Sequence, residues 1–242
     1  MSNNFDTSQN HFLFNNKGTI PLVFIHGVGL DHQMWRGQVN HLNQFSILTY
    51  DLIGHGKTPC NKDKLTLKDF SNQLLEILDH LKIEKINLIG FSLGSLIALD
   101  FSSRYQKKLE KLILIGTTYK RSEQERSLVL DRFNQAKLNK PISKQALKRW
   151  FSDKYLKENP ATYDLFINVL NKKPNDHKNF LKAYELFANH YDDIAAIKKI
   201  NKKTLVMTGS DDLGSTPKMS KELVKDLVNS SYIEIKNGKH LC

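Results

Sequence analysis

A serine between two glycines is the residue of this chain best suited to act as a nucleophile. Residues 90–94 read Gly-Phe-Ser-Leu-Gly, with a short apolar run at 85–89 before them and an apolar segment at 95–101 after them. This pattern predicts a buried strand, a tight turn and the first turns of a buried helix. In such a turn the Ser92 hydroxyl projects from the strand end, and the Leu93 N–H lies at the helix N-terminus, where a developing negative charge is favoured. One segment therefore predicts a nucleophile and part of an oxyanion hole.

The serine also needs a base and an acid. A serine hydroxyl becomes nucleophilic when an imidazole takes its proton and a carboxylate orients that imidazole. Downstream of Ser92, Asp211 and Asp212 follow one strand-like run, and His240 follows the next. The order Ser, Asp, His is expected where a parallel sheet carries such a triad at the carboxyl ends of its strands. These residues alone leave open whether Asp211 or Asp212 is the acid.

Two further glycine loops are expected near the same sheet edge. Residues 20–25 are nearly all apolar and run into His26-Gly27-Val28-Gly29, which is typical of a buried strand ending in a loop with exposed N–H groups. Gly54-His55-Gly56 follows another strand-like segment at 45–52. A histidine between two glycines is predicted to brace its loop through hydrogen bonds rather than to act in catalysis.

The composition predicts one globular domain with a sizeable core, since 40% of the 242 residues are hydrophobic. The two cysteines, Cys60 and Cys242, offer neither a disulfide framework nor a metal-ligand spacing, and residues 1–18 contain no apolar signal segment. No apolar run approaches the length of a membrane span. We therefore predict a cytoplasmic protein without a membrane span, a metal or another cofactor.

The formal net charge of +11 arises from dispersed lysines. They occur mostly singly or in pairs, and no arginine-rich stripe with interleaved aromatic residues occurs. This pattern favours a solvated basic surface over a nucleic-acid-binding face. The predicted partner is a small-molecule substrate, and the sequence leaves open whether the chain forms a homo-oligomer.

Alternating strand and helix patterns predict an α/β fold, with a mostly parallel sheet covered by helices on both faces. The clearest helix begins at a capping box of Thr66 and Asp69 and leads to the strand before the serine turn. After residue 118 the strand-like runs give way to helical patterns. We predict a core of residues 1–118 and 203–242 with an inserted helical lid at 119–202.

Aromatic residues of the predicted lid are candidates for substrate contact. Trp150 and Phe151, together with Phe166 and Phe187, are predicted to line an apolar pocket over Ser92. Packing between the lid helices is the alternative for each of them.

These segments together resemble the α/β-hydrolase superfamily over about residues 19–242. The resemblance is carried by Ser92 within Gly-Phe-Ser-Leu-Gly, the His26-Gly27 loop, the Asp51-Leu52-Ile53-Gly54-His55-Gly56 segment and the Gly209-Ser210-Asp211-Asp212 turn. Within it, Arg149-Trp150-Phe151 and residues 212–217 resemble the 3-oxoadipate enol-lactonase-like branch.

The resemblance implies a role for each residue of the site. Ser92 would be the nucleophile, His240 the base and Asp212 the acid. The backbone N–H groups of Val28 and Leu93 would form the oxyanion hole. The implied reaction is hydrolysis of a small carboxylic ester or lactone through an acyl-enzyme, without a cofactor.

Two departures from the family pattern keep other readings open. The family usually has an arginine where Ile53 stands, and it continues with a further helix after the catalytic histidine, where only Leu241 and Cys242 follow here. The second departure predicts either a truncated chain or a His240 on a frayed terminus. The alternatives are a carbon–carbon bond hydrolase or perhydrolase with the same triad, and a non-catalytic or truncated protein of the hydrolase fold.

Overall fold

The computed structural model describes residues 4–138, 143–170 and 174–241. The described strands are β1 Asn4–Phe5, β2 His11–Asn15, β3 Leu22–Ile25, β4 Ile47–Tyr50, β5 Ile86–Phe91, β6 Leu109–Ile115, β7 Lys203–Gly209 and β8 Ser230–Ile235. The described helices are α1 Arg36–His41, α2 Leu67–His80, α3 Leu93–Arg104, α4 Glu123–Lys137, α5 Ser143–Trp150, α6 Asp153–Glu158, α7 Pro160–Leu170, α8 Pro174–Asn189, α9 Ile194–Ile197 and α10 Pro217–Asp226. Short 3₁₀ turns occur at His32–Trp35 and Gln106–Lys108.

The strands form one open sheet in the order β1-β2-β4-β3-β5-β6-β7-β8. The pairs β1–β2 and β2–β4 are antiparallel, and every neighbouring pair from β4 to β8 is parallel. This confirms the prediction of a mostly parallel sheet. The chain winds outward from β3 to β4 and then returns to β5 on the other side of β3, so the loops after β3 and β5 lie side by side at a crevice of the kind that binds ligands.

The centre of the sheet is the most deeply buried part of the fold. β5 and the helix that follows it, α3, are almost entirely buried, with Leu93, Ile97 and Phe101 at 0% exposure. Because α3 packs against both the sheet and α2, it needs apolar residues all round, as its sequence predicts. The serine turn is therefore fixed between two rigid elements.

Helix α2 covers the sheet as its sequence predicts. Thr66 and Asp69 form the capping box, in which each side chain accepts a hydrogen bond from the other's backbone N–H. A cap of this kind contributes about 1 kcal/mol to helix stability. The apolar face of the helix is buried through Phe70, Leu74 and Ile77, which holds the segment that leads into β5.

Between β6 and β7 the described residues contain no strand, and the regular elements there are helices α4 to α9. Phe133 of α4 and Tyr184 of α8 pack into the main apolar core, and Phe166 of α7 packs into a second apolar cluster together with Phe91. The boundaries of the predicted lid at residues 119 and 202 stay a prediction. Within the described ranges, none of the helices combines the length and apolar character that crossing a bilayer would require.

Candidate active site

Ser92 occupies a sharp turn between β5 and α3. Its backbone has φ 54° and ψ −116°, and residues other than glycine rarely adopt a positive φ. The flanking glycines allow the turn to close, since a Cβ at Gly90 would collide with the Gly94 carbonyl and a Cβ at Gly94 with the Ile25 carbonyl. Such strain persists where the surroundings impose it, and it occurs frequently at catalytic residues.

Two backbone N–H groups lie near Ser92 and have no acceptor among the described residues. Neither the Val28 N–H nor the Leu93 N–H has a hydrogen-bond acceptor in the described part of the chain. Leu93 is the first residue of α3, so its N–H is one of the unpaired donors at the positive end of a helix. Val28 lies in the loop after β3 and lines the same cavity as Ser92. Both groups are therefore available to a negatively charged oxygen.

His240 is paired with Asp212. Its Nδ1 lies 2.6 Å from Asp212 Oδ2, while Asp212 Oδ1 accepts hydrogen bonds from the N–H groups of Gly214 at 2.8 Å and Ser215 at 2.9 Å. Burial of Asp212 would raise the pKa of its carboxyl, but His240 and the two N–H donors outweigh burial and hold this pKa below its ordinary value. Asp212 is thus a carboxylate at neutral pH, and it, rather than the exposed Asp211, contacts the imidazole.

The chain end around His240 is held by several contacts. The imidazole lies 4.8 Å from the Phe91 ring and 6.5 Å from the Trp150 ring, measured between centroids. The next residue, Leu241, donates its N–H to the Trp150 carbonyl at 3.0 Å. With Asp212 on its Nδ1 side as well, His240 does not lie on a frayed terminus, contrary to one of the sequence expectations.

Ser92 and His240 line one cavity of about 210 Å³. Within the described residues, however, the structure contains no hydrogen bond between the Ser92 hydroxyl and the imidazole. Catalytic hydrogen bonds are often long or poorly aligned without substrate and tighten when it binds. The structure therefore places Ser92 and His240 in one site, without a hydrogen bond between their side chains.

The two lid aromatics predicted to contact substrate have different surroundings. Trp150 lines the cavity, whereas Phe151 is not among the described residues that line it. Phe151 is buried against Tyr155 and Phe166, with ring centroids 5.4 Å and 5.2 Å away. Phe151 therefore packs between helices α6 and α7, which is the alternative expected for the lid aromatics, and its contact with substrate stays a prediction. Of the other two aromatics, Phe187 lines the cavity. Phe166 packs beside Phe151 and is not among the described residues that line the cavity.

Two arginines on the lid side of the cavity were not predicted as site residues. Arg132 of α4 and Arg149 of α5 both line it, near Tyr184. Within the described ranges neither guanidinium forms an ion pair with a carboxylate. Desolvation, followed by the like charge of Arg132, lowers the pKa of Arg149. The helical pattern of the lid gave no signal for this pair, because residues 17 positions apart meet only once the helices pack.

A second cluster of polar side chains lies behind the loop that carries Val28. The Asp51 carboxylate accepts hydrogen bonds at 2.7 Å from Nδ1 of both His11 and His32. It also accepts hydrogen bonds from the backbone N–H groups of His32 and Lys57. His11, His32 and Asp51 are close enough for a metal ion. Since both carboxylate oxygens already accept these hydrogen bonds, we describe the cluster as a brace between loops. Burial would raise the pKa of Asp51, but the two histidines hold it well below its ordinary value.

Comparison with known proteins identifies the fold family that matches this geometry. A family model described as alpha/beta hydrolase fold matches residues 20–242. The solved structure of the enol-lactonase from Burkholderia xenovorans superposes with a TM-score of 0.84, covering 96% of this chain and 90% of that one at 23% identity. At this level of identity the superposition shows a shared fold.

Two similar proteins come from Acinetobacter baylyi. Its (E)-2-((N-methylformamido)methylene)succinate hydrolase is 26% identical over 225 residues, covering 91% of this chain and 83% of that protein. Its 3-oxoadipate enol-lactonase 1 is 27% identical over 221 residues, covering 91% of this chain and 81% of that protein.

Proposed function

This chain belongs to the alpha/beta hydrolase fold family, and we propose that it hydrolyses a small carboxylic ester or lactone through Ser92, His240 and Asp212. The observation that carries this proposal is the hydrogen-bonded pair of the buried Asp212 and the half-buried His240, which lies in the same cavity as the strained Ser92 turn. The backbone strain at Ser92 and the carboxylate-oriented imidazole in the same cavity support a catalytic role over a purely binding one.

In the first half of the proposed reaction, the Ser92 hydroxyl oxygen attacks the substrate carbonyl carbon. His240 Nε2 takes the hydroxyl proton, and the Asp212 carboxylate stabilises the resulting imidazolium. The carbonyl oxygen becomes an oxyanion that accepts hydrogen bonds from the Val28 and Leu93 N–H groups. Each such donor contributes roughly 3 kcal/mol to stabilising the transition state. The C–O bond to the leaving group then breaks, and His240 returns the proton to the departing oxygen.

In the second half, water attacks the acyl-enzyme. His240 removes a proton from the water, a second oxyanion forms at the same N–H groups, and the bond to the Ser92 oxygen breaks. Ser92 recovers its proton from His240 and the carboxylic acid leaves. With a lactone, the alcohol and the acid are parts of one product, because the bond that breaks closes a ring.

We further propose that the substrate carries a free carboxylate. Arg132 and Arg149 support this, because both guanidinium groups line the cavity without a carboxylate partner in the described ranges and can pair with an anionic group of a substrate. The net charge of +11 favours the approach of an anionic substrate. The names of the two A. baylyi relatives contain succinate and 3-oxoadipate, which are dicarboxylates. A cavity of about 210 Å³ suits a molecule of this small size.

The charge preference gives a direct test of this proposal. We expect mono-p-nitrophenyl glutarate to be hydrolysed with a kcat/KM about 10- to 100-fold above that of p-nitrophenyl pentanoate, because a carboxylate hydrogen-bonded to a guanidinium contributes about 1.5–3 kcal/mol. The two acyl groups have the same number of carbons and differ in a terminal carboxylate or methyl. Arg132→Gln and Arg149→Gln should each lower the ratio of the glutarate to the pentanoate kcat/KM roughly tenfold. The kcat/KM for the pentanoate ester itself should change less.

Arg36→Gln, at an exposed position on α1, is the matched control and should leave the preference unchanged. Equal kcat/KM values for the two esters in the wild-type protein would contradict the carboxylate proposal. If neither ester were hydrolysed in a Ser92-dependent manner, the proposed function itself would be wrong.

A further inference from the structure

Two buried histidines contact the loop that carries Val28. His26 is 0% exposed and His55 is 2% exposed, and their ring centroids lie 5.2 Å apart. The proposed reaction uses neither side chain. Their hydrogen bonds nevertheless fix the peptide groups on both sides of Val28.

His26 holds the peptide group before Val28. Its Nδ1 lies 2.8 Å from the Gly27 carbonyl oxygen, and its Nε2 accepts the Leu52 N–H at 3.0 Å. Because Nε2 accepts a hydrogen bond from a backbone N–H, it carries no proton of its own, so the imidazole is neutral with its proton on Nδ1. The Gly27 carbonyl and the Val28 N–H belong to one planar trans peptide group and point in opposite directions. Holding the carbonyl therefore aims the Val28 N–H.

His55 holds the peptide group after Val28. Its Nε2 accepts the Gly29 N–H at 3.1 Å, and its Nδ1 lies 3.1 Å from the Ile53 carbonyl oxygen. By the same reasoning His55 is neutral with its proton on Nδ1. Gly29 has φ +78°, a conformation that needs glycine. With both neighbouring peptide groups fixed, φ and ψ of Val28 have little freedom.

We propose that His26 and His55 are positioning residues for the hydrolysis, because their neutral imidazoles clamp the Val28 N–H in the direction of the oxyanion. This inference rests on the proposed function, since it assigns a role to the Val28 N–H in the same reaction. It also gives the Gly-His-Gly loop at 54–56 a link to catalysis that the triad alone does not explain. The oxyanion forms only after attack, so loss of the clamp should lower kcat and leave KM nearly unchanged.

The test compares two amides at His55 that differ by one methylene. The Oε1 atom of glutamine reaches as far as the imidazole Nε2 and can accept the Gly29 N–H, whereas the Oδ1 atom of asparagine reaches only as far as Nδ1. With p-nitrophenyl acetate we expect His55→Asn to lower kcat about 10- to 100-fold, since removing one oxyanion donor costs about 10²–10³ in kcat. His55→Gln should keep most of the wild-type kcat. His41→Asn, at an exposed histidine of α1 outside this loop, is the matched control and should behave as the wild type.

A second readout needs no variant of the loop. Nitrogen-15 spectra of the wild-type imidazoles should show His26 and His55 neutral, with the proton on Nδ1. A proton on Nε2 of either residue would overturn the proposal. So would an unchanged kcat in His55→Asn, or equal losses in the asparagine and glutamine variants.

Ser92→Ala, measured in parallel, separates the positioning role of His55 from the proposed function. If it abolishes turnover while His55→Asn keeps the wild-type kcat, only the positioning role is wrong. If Ser92→Ala keeps the wild-type turnover, the proposed function is wrong and the positioning role with it.

Discussion

Replacing Ser92 with alanine is expected to lower kcat for p-nitrophenyl acetate by roughly 10⁴- to 10⁶-fold. The proposed reaction passes through a bond to the Ser92 oxygen, and alanine has no atom there to form it. Alanine also has no large group to disturb β5 or α3, although it keeps the left-handed backbone strain at this position. The thermal unfolding midpoint should therefore change little, which circular dichroism can check.

Ser103→Ala is the matched control for this variant. Ser103 lies on the same helix, α3, and its hydroxyl donates to the Asp100 carbonyl, away from the cavity. Its variant should keep the wild-type kcat. An alanine at position 92 that hydrolyses the ester at a rate near the wild type would remove the basis for the proposed chemistry.

The second large effect is expected at Asp212. Asp212→Asn should lower kcat about 10⁴-fold, because the amide can donate a hydrogen bond to His240 Nδ1 and so favour the tautomer with its proton on Nε2. In that tautomer Nε2 cannot accept the proton of the Ser92 hydroxyl. The loss should be in kcat rather than in KM, because the carboxylate acts on the imidazole and the substrate is bound elsewhere.

Asp211 offers a neighbouring comparison. It is exposed, and its carboxylate accepts a hydrogen bond from the Ser210 hydroxyl at 2.9 Å. Asp211→Asn changes the charge of the region by the same amount and should lower kcat far less than Asp212→Asn. Equal losses in both variants would mean that the effect reflects the local charge and not the orientation of His240.

The elements that carry the site were readable from the sequence because their signals are local. The serine turn needs an apolar strand, two glycines and a buried helix in direct succession, and residues 85–101 supply all three. The strand ends after β7 and β8 were also readable from short apolar runs. Once the sheet is parallel, its topology requires these ends to meet at one edge, so a serine, an acid and a histidine far apart in the chain were predicted as one site.

The choice between the two acids depended on packing. Asp211 and Asp212 are adjacent, and the residues before them predict the strand end equally well for both. The turn after β7 directs Asp212 inward, where the N–H groups of Gly214 and Ser215 hold its carboxylate. The sequence pattern leaves Asp211 and Asp212 equivalent, and the resemblance to the family favoured Asp212.

The lid was the hardest part to interpret. Helical periodicity marks Trp150 and Phe151 equally as apolar, but α5 ends at Trp150, which lines the cavity, and Phe151 beyond it packs against Tyr155 and Phe166. Arg132 and Arg149 look like ordinary surface cations in their helices. Their meeting in the cavity depends on how the lid helices pack together, including α4 against α8 and α5 against α7, which single-helix patterns do not specify.

The most direct test of the central claim is to map where a fluorophosphonate probe reacts. Such probes modify serines whose hydroxyl is activated by a neighbouring base. Trypsin should release residues 86–104 as one peptide, which contains Ser92 and three other serines, and fragmentation can separate them. We expect a single adduct on Ser92 that is lost in Asp212→Asn. A probe adduct on another residue, or no adduct in a protein that hydrolyses p-nitrophenyl acetate, would contradict the claim that Ser92 is the activated nucleophile.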